Sequence, residues 1–223
     1  MKHFTRNLLA ACVAASLPAF AHAAPVHVEV TGVVDFSIIQ GNMVGVKAGD
    51  PVVMDFNLDS NIFVNSASFP TRGYDIDLPS FSMMVGGRPV TMDIPQPGDQ
   101  AYFVLRDNDP AVDGFFISPS TDQYFPLFVH IPGLNPTHEL DFHATYGNTT
   151  TLSSLDILDA VGTYDLTNIS VYQWTIGRFG NPGAEYAYQT LTISAVPDAV
   201  PEPATLALLG LGIAALGFSR RRQ

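Results

Sequence analysis

Cysteine and basic residues are scarce in this chain of 223 residues. The one cysteine, Cys12, lies near the N-terminus, so the rest of the chain can form neither a disulfide nor a catalytic thiol. Charged residues make up only 14%, and between the two ends five are basic: Lys47, Arg72, Arg88, Arg106 and Arg178. Against them stand 21 acidic residues, so the chain repels phosphate backbones and we expect no binding to nucleic acid.

Motifs of nucleophilic catalysis are also missing from the sequence. There is no Gly-x-Ser-x-Gly elbow, no glycine-rich phosphate loop and no pair of glutamates in a glycosidase-like setting. None of the four histidines beyond the N-terminal segment has a nucleophile beside it. We therefore predict that the protein is not an enzyme and needs no cofactor.

Residues 1–23 have the three-part layout of a secretory signal peptide. Two basic residues precede an apolar run over residues 8–20, and Ala21 and Ala23 supply the small residues that precede a cleavage site. We therefore predict export through the general secretion machinery, with cleavage after Ala23.

A lipobox is the alternative interpretation of this end, because Leu9-Ala10-Ala11-Cys12 would make Cys12 a lipidated first residue. Only four apolar residues precede Cys12, too few for a hydrophobic region of the usual length. A further apolar stretch follows it, where a lipoprotein begins a polar tether. The signal peptide explains the segment better.

Residues 200–223 combine three features in a fixed order. A Pro-Glu-Pro entry is followed by an uncharged apolar segment over residues 204–218, and then by a basic cap. As a helix this segment would span about 22 Å, which is short of the roughly 30 Å hydrocarbon core. The residues concerned are Pro201, Glu202 and Pro203 in the entry and Arg220, Arg221 and Arg222 in the cap. We predict a short hydrophobic helix that stops transiently in the inner membrane, with its arginines on the cytoplasmic side.

This arrangement resembles the PEP-CTERM sorting signal of exported proteins in Gram-negative bacteria. The resemblance implies processing by an exosortase, an integral-membrane enzyme similar to cysteine transpeptidases. It also implies a final location at the cell surface or outside the cell. The same tail is sometimes labelled an ice-binding-protein C-terminal domain, which is no evidence of ice binding. The resemblance covers the tail alone and says nothing about the activity of the body.

Residues 24–199 are predicted to form one β-rich body of ordinary domain size. Between residues 26 and 31 valines alternate with polar residues, which is typical of a half-buried strand. About ten such short strands are separated by turn signals, among them Gly86-Gly87. The segment Thr151 to Val161 is the one plausible helix. The pattern predicts an all-β protein built as an antiparallel β-sandwich or jelly roll.

Two clusters contain side chains that could bind a metal. Carboxylates at Asp107, Asp109 and Asp113 are oxygen ligands of the kind that calcium prefers, although Pro110 to Val112 interrupt the alternation of a calcium loop. On a predicted strand, Glu139, Asp141 and His143 would share one face and could hold a divalent ion. Asx-rich turns and solvent-facing polar rows are the ordinary explanations of the two clusters.

Tyr172 and Trp174 share one face of another predicted strand, where they could stack on sugar rings or fill a core. We assign them to the core, because buried aromatic residues are the commoner case in β proteins. Our leading prediction is a surface or extracellular-matrix protein associated with exopolysaccharide or biofilm. The alternatives are a calcium-dependent carbohydrate-binding module and, less favoured, a metal-dependent secreted hydrolase.

Overall fold

A computed structural model of the protein describes residues 24–38, 43, 45–92, 100–133, 137–178 and 181–196. These ranges form an all-β body, which confirms the predicted fold class. A short 3-10 turn, Leu78–Ser80, lies between the third and fourth strands. In chain order the strands are β1 (Pro25–Ser37), β2 (Pro51–Asn65), β3 (Thr71–Ile76), β4 (Ser82–Val85), β5 (Arg88–Met92), β6 (Tyr102–Arg106), β7 (Asp113–Ser118), β8 (Leu127–His130), β9 (His138–Tyr146), β10 (Gly162–Asp165), β11 (Val171–Arg178) and β12 (Asn181–Ala195).

Strand β1 is paired along both of its edges, and this pairing closes the sheet. On one side Val28 lies opposite Ile193 of β12, and on the other side it lies opposite Phe56 of β2. From β12 the ring continues through β11, β9, β7, β6 and β3 to β2, always between antiparallel neighbours. The described strands therefore form a closed eight-stranded β-barrel.

The barrel wall divides into two branches between β2 and β9. The first half of β2 pairs with β4 over residues 52–55, and its second half pairs with β3 from Leu58 onward. In the same way β9 pairs with β8 over residues 138–140 and with β7 over residues 143–146. Because β5 joins β4 to β8, the wall has two branches, β3-β6-β7 and β4-β5-β8, between β2 and β9.

The core follows from strict alternation along the long strands. In β1 every second residue from Val26 to Val34 is buried, and the residues between them are partly exposed, as the sequence predicts. In β2 the same alternation runs from Val52 to Ser60. Phe103 joins the aromatic side chains at the centre of the core, because its ring centroid lies 5.6 Å from that of Phe56 and 5.9 Å from that of Phe115.

The predicted sandwich or jelly roll is wrong at the level of architecture. A sandwich consists of two separate sheets, whereas here a continuous path of hydrogen-bonded strands returns to β1. The hydrophobic alternation of a strand shows which face is buried. It does not show whether the strand has a partner on each edge, so the closure of the sheet had no signature in the sequence.

We predict that Gly32 is essential to this closure, because β1 and β12 approach closely at that point. A Cβ atom on Gly32 would lie 2.4 Å from the backbone oxygen of Ala187 and 2.8 Å from Cζ3 of Trp174. Gly32→Ala should lower the free energy of unfolding by about 1–3 kcal/mol. Urea denaturation followed by circular dichroism would measure this change.

The matched control is Gly162→Ala on β10, where a Cβ atom meets nothing within 4 Å. This variant should stay within about 1 kcal/mol of the original protein. Equal stability of the two variants would contradict the role given to Gly32.

Candidate functional site

A cavity of about 320 Å³ lies on the outside of the barrel, over β7 and β9. Phe116 of β7 is the register partner of His143 of β9, and both alternate with the core residues Phe115 and Phe142. Phe116 and His143 therefore face away from the core and into this cavity. We call it the outer cavity; its lining residues are Arg106, Asp109, Pro110, Val112, Phe116, Tyr124, His143, Thr145 and Val171.

The polar row predicted on β9 is present. Leu140 and Phe142 are buried in the core, and the polar residues between and beside them are only partly buried. The carboxylate of Asp141 accepts hydrogen bonds from the Tyr124 hydroxyl at 2.7 Å and from the Gln173 amide at 3.2 Å. Burial raises the pKa of the Asp141 carboxyl above its ordinary value. Asp141 therefore holds Tyr124 against the barrel at the edge of the outer cavity.

His143 occupies one wall of the outer cavity. Its ring lies edge-on to the Tyr124 ring at a centroid distance of 4.7 Å. Burial, and then the positive charge of Arg106, lower the pKa of the imidazole below its ordinary value. The Nδ1 atom is buried and has no hydrogen-bond partner. The ring therefore favours its neutral form more strongly than an exposed histidine does.

Arg106 provides the positive charge of the outer cavity. Its guanidinium carbon lies 5.4 Å from the centroid of the Phe116 ring, which is within cation–π range. Its Nε atom lies 3.5 Å from Oδ2 of Asp109, so the two groups form an ion pair, but Nε makes no hydrogen bond. The guanidinium is thus positioned by an aromatic face and by a carboxylate that approaches from its Nε side.

Asp113 fixes the loop that borders the outer cavity. Its side chain is fully buried, and Oδ1 accepts a hydrogen bond from the backbone N–H of Asn108 at 3.0 Å. Oδ2 accepts two more, from the N–H groups of Thr151 at 2.8 Å and Leu152 at 2.9 Å. One carboxylate therefore clamps together two loops that are about 40 residues apart in sequence, a structural role typical of a buried ion with several N–H donors.

The segment that Asp113 holds is not the predicted helix. Residues 151–161 form bends and turns, with Ala160 N–H bonded to carbonyl oxygens of Asp156 and Ile157 in an isolated turn. The hydroxyl of Tyr74 accepts a hydrogen bond from Ile157 N–H and donates one to the carbonyl of Leu155. These tertiary bonds occupy the backbone groups that a helix would pair internally.

The three carboxylates of the predicted calcium site have separate partners. Asp107 accepts a hydrogen bond from the side chain of Asn108, Asp109 pairs with Arg106, and Asp113 is the clamp. Across the ranges that the structure describes, no group of three or more His, Cys, Asp and Glu side chains could hold a metal ion. Asp141 and His143 of the second set make the contacts given above, and both metal sites stay predictions.

The aromatic pair on β11 divides between two environments. Trp174 is buried, as expected, against Phe142, Tyr186 and Tyr188, with the Tyr188 ring stacked at 5.3 Å. Tyr172, in contrast, is 64% exposed. The prediction that both belong to the core holds for Trp174 and is wrong for Tyr172, which lies at the start of β11, three residues before the pairing with β12 begins at Thr175.

Sequence reasoning named Asp109 and His143 of the outer cavity as candidate metal ligands and missed the other residues that line it. Phe116 and Val171 are on strands that pair with β9 from opposite sides, and Tyr124 reaches the site from a loop. Only Arg106 carried a signal, because a basic residue is rare in so acidic a chain.

The two ends of the described body lie side by side. The N–H of Val196 donates a hydrogen bond to the carbonyl of Pro25 at 2.8 Å, and Ser60 N–H donates one to the carbonyl of Ala24 at 3.2 Å. The signal-peptide residues Ala21 and Ala23, the sorting residues 201–203 and the arginines 220–222 lie outside the described residues. Within the described ranges, no helix has the length and apolarity needed to cross a membrane.

The closed β-barrel is followed in the sequence by the tail whose three features predict a sorting signal. Residues 199–222 match the family model of the PEP-CTERM protein-sorting motif. The C-terminal tail is therefore a PEP-CTERM motif, which marks a protein that is exported, sorted to the surface and processed by an exosortase. No curated protein and no solved structure matches the chain.

Asp113→Asn should destabilise the protein strongly. An amide at this position offers one acceptor oxygen and places an N–H₂ group against backbone N–H donors, so at least one buried N–H loses its partner. We expect a loss of about 2–4 kcal/mol in the free energy of unfolding, measured by urea denaturation. Asp107→Asn, on a partly exposed carboxylate of the same loop, is the control and should cost less than about 0.5 kcal/mol. A small effect at Asp113 would show that the clamp is not needed.

We also predict that stability falls as the pH is lowered from about 7.5 to 5.5. His143 has a folded-state pKa below its ordinary value of 6.5, so the unfolded chain binds the proton more tightly than the folded chain. Folding therefore loses stability as the pH falls through this window. His143→Gln should flatten the dependence of the melting temperature on pH, because it removes the group whose folded-state pKa is lowered. An unaltered slope in His143→Gln would contradict the assignment.

Proposed function

We propose that the β-barrel body is a non-enzymatic surface or matrix component, placed outside the cell in association with exopolysaccharide after an exosortase has processed the tail. The observation that carries this proposal is the PEP-CTERM motif at residues 199–222, immediately after the last strand of the barrel. Because the sorting tail directly follows one closed barrel, this barrel is the part of the protein that the tail delivers.

The arrangement of the two ends supports the same conclusion. Val196 and Pro25 are joined by a hydrogen bond, so the sites of signal-peptide removal and of tail processing both leave the barrel at one end. Only residues 197–200 separate Val196 from the Pro-Glu-Pro entry, and four extended residues span at most about 14 Å. The body thus remains close to the membrane surface until the tail is processed, and it is free to leave afterwards.

The non-enzymatic part of the proposal rests on the sequence. No motif of nucleophilic catalysis or phosphate binding occurs in it. The acidic composition is that of a solvated extracellular surface. No contact among the described residues favours a calcium-dependent module or a metal-dependent hydrolase.

The proposal predicts that the fate of the body depends on the tail and on the processing enzyme. Glu202→Ala changes the charged residue of the sorting entry and should leave a larger, membrane-associated precursor in fractionated cells. The original chain should behave in the same way in cells that lack the exosortase. Immunoblots of membrane, surface and medium fractions would measure both effects.

Glu185→Ala is the matched control, because it removes an exposed glutamate from β12 without touching the tail. It should be processed and released normally. An identical distribution of the body in cells with and without the exosortase would refute the proposed sorting route.

A further inference from the structure

The outer cavity is lined by two residues with a buried polar atom that makes no hydrogen bond. Nε of Arg106 and Nδ1 of His143 both lack a hydrogen bond in the part of the chain that the structure describes. A buried donor left without a partner costs about 1–3 kcal/mol, so native proteins rarely place two in one cavity without a ligand or water to satisfy them. Both residues line this cavity.

The walls of the outer cavity are apolar around this polar pair. The Phe116 ring lies beneath the Arg106 guanidinium, and Pro110, Val112 and Val171 contribute aliphatic surface. The volume of about 320 Å³ is at the lower end of ligand pockets, which span about 300–1,000 Å³. The site is therefore of a size for one substituted ring, with a polar group at the Arg106 end.

The acidic side chains around Arg106 are largely committed to other donors. Asp113 accepts three backbone N–H bonds, and Asp141 accepts bonds from Tyr124 and Gln173. Asp109 is the one carboxylate that lines the cavity, and it approaches the guanidinium at Nε. The two terminal nitrogens of a guanidinium form a second edge, which can bind another carboxylate through two parallel hydrogen bonds.

We propose that the outer cavity binds a single hexuronate residue of a polysaccharide, so that Arg106 meets one carboxylate although the acidic chain as a whole repels dense polyanions. The sugar carboxylate pairs with Arg106, and the ring packs on Phe116 and the aliphatic wall, with His143 and Thr145 within the same cavity for its hydroxyl groups. The inference rests on the proposed surface function for the source of the ligand, and it names the class of polymer that the body meets there.

The test is isothermal titration of the exported, processed protein with an oligouronate trimer and with the neutral trimer of the corresponding hexose. Saturable binding is expected for the acidic trimer, with the neutral trimer at least about tenfold weaker because it lacks the carboxylate. Arg106→Gln should weaken binding of the acidic trimer by about tenfold or more.

Arg72→Gln is the matched control for charge and for stacking. Arg72 also lies over an aromatic ring, 4.2 Å from the Phe63 centroid, but it is bonded to Asn65 and does not line the outer cavity. Its replacement should leave binding unchanged. Val171→Glu is a second cavity variant, at a side chain that is 55% exposed, and it should weaken binding of the acidic trimer by repulsion without disturbing the core.

Three outcomes would overturn the proposal. Equal binding of the neutral trimer would remove the role of the carboxylate, and equal weakening by Arg72→Gln would show a general charge effect. If neither trimer showed saturable binding, ordered water alone would satisfy the unpaired polar atoms of the cavity. The fractionation of Glu202→Ala cells is independent of these titrations, so a failure here leaves the sorting route standing, and the reverse also holds.

Discussion

The pairing of β1 on both edges is the constraint on which the rest of the barrel depends. A single strand supplies inward-facing valines to the core and also joins the first and last parts of the chain, since its neighbours are β2 and β12. The wall can therefore divide into two branches elsewhere without opening. The pairing of β1 with β12 requires a close approach at Gly32. There Ala187 and Trp174 occupy the space that a side chain would fill.

The outer cavity depends on a second buried interaction, the carboxylate of Asp113. By accepting N–H bonds from both loops it fixes residues 107–112 beside β7 and β9, and the cavity lies between that loop and the strands. The loop that resembles a calcium site in sequence is thus built around an internal anion and contributes Asp109 to the cavity rim. Fold and candidate site share one loop.

Local patterns were predictable from the sequence, and tertiary relations were not. The alternation in β1 and the shared face of Glu139, Asp141 and His143 follow from the two-residue period of a strand. Closure of the ring depends on which strands pair along their edges. The sequence of a strand does not show which partners it has. The helix expected over residues 151–161 is displaced by hydrogen bonds to Asp113 and Tyr74, and its apolar spacing could not reveal them. Phe116 and Tyr124 meet His143 only through the fold.

The adjacency of Pro25 and Val196 has a mechanical consequence. Because Val26 lies opposite Ala195 in an antiparallel pair, a force that pulled the two ends apart would open the β1–β12 ladder one pair at a time, starting from its end. A pair of antiparallel strands resists force least in this direction, because the hydrogen bonds break one after another. On the proposed sorting route, removal of the signal peptide would leave the tail as the sole tether, so tension on the tail would have no opposing terminus and the barrel would remain unloaded until release.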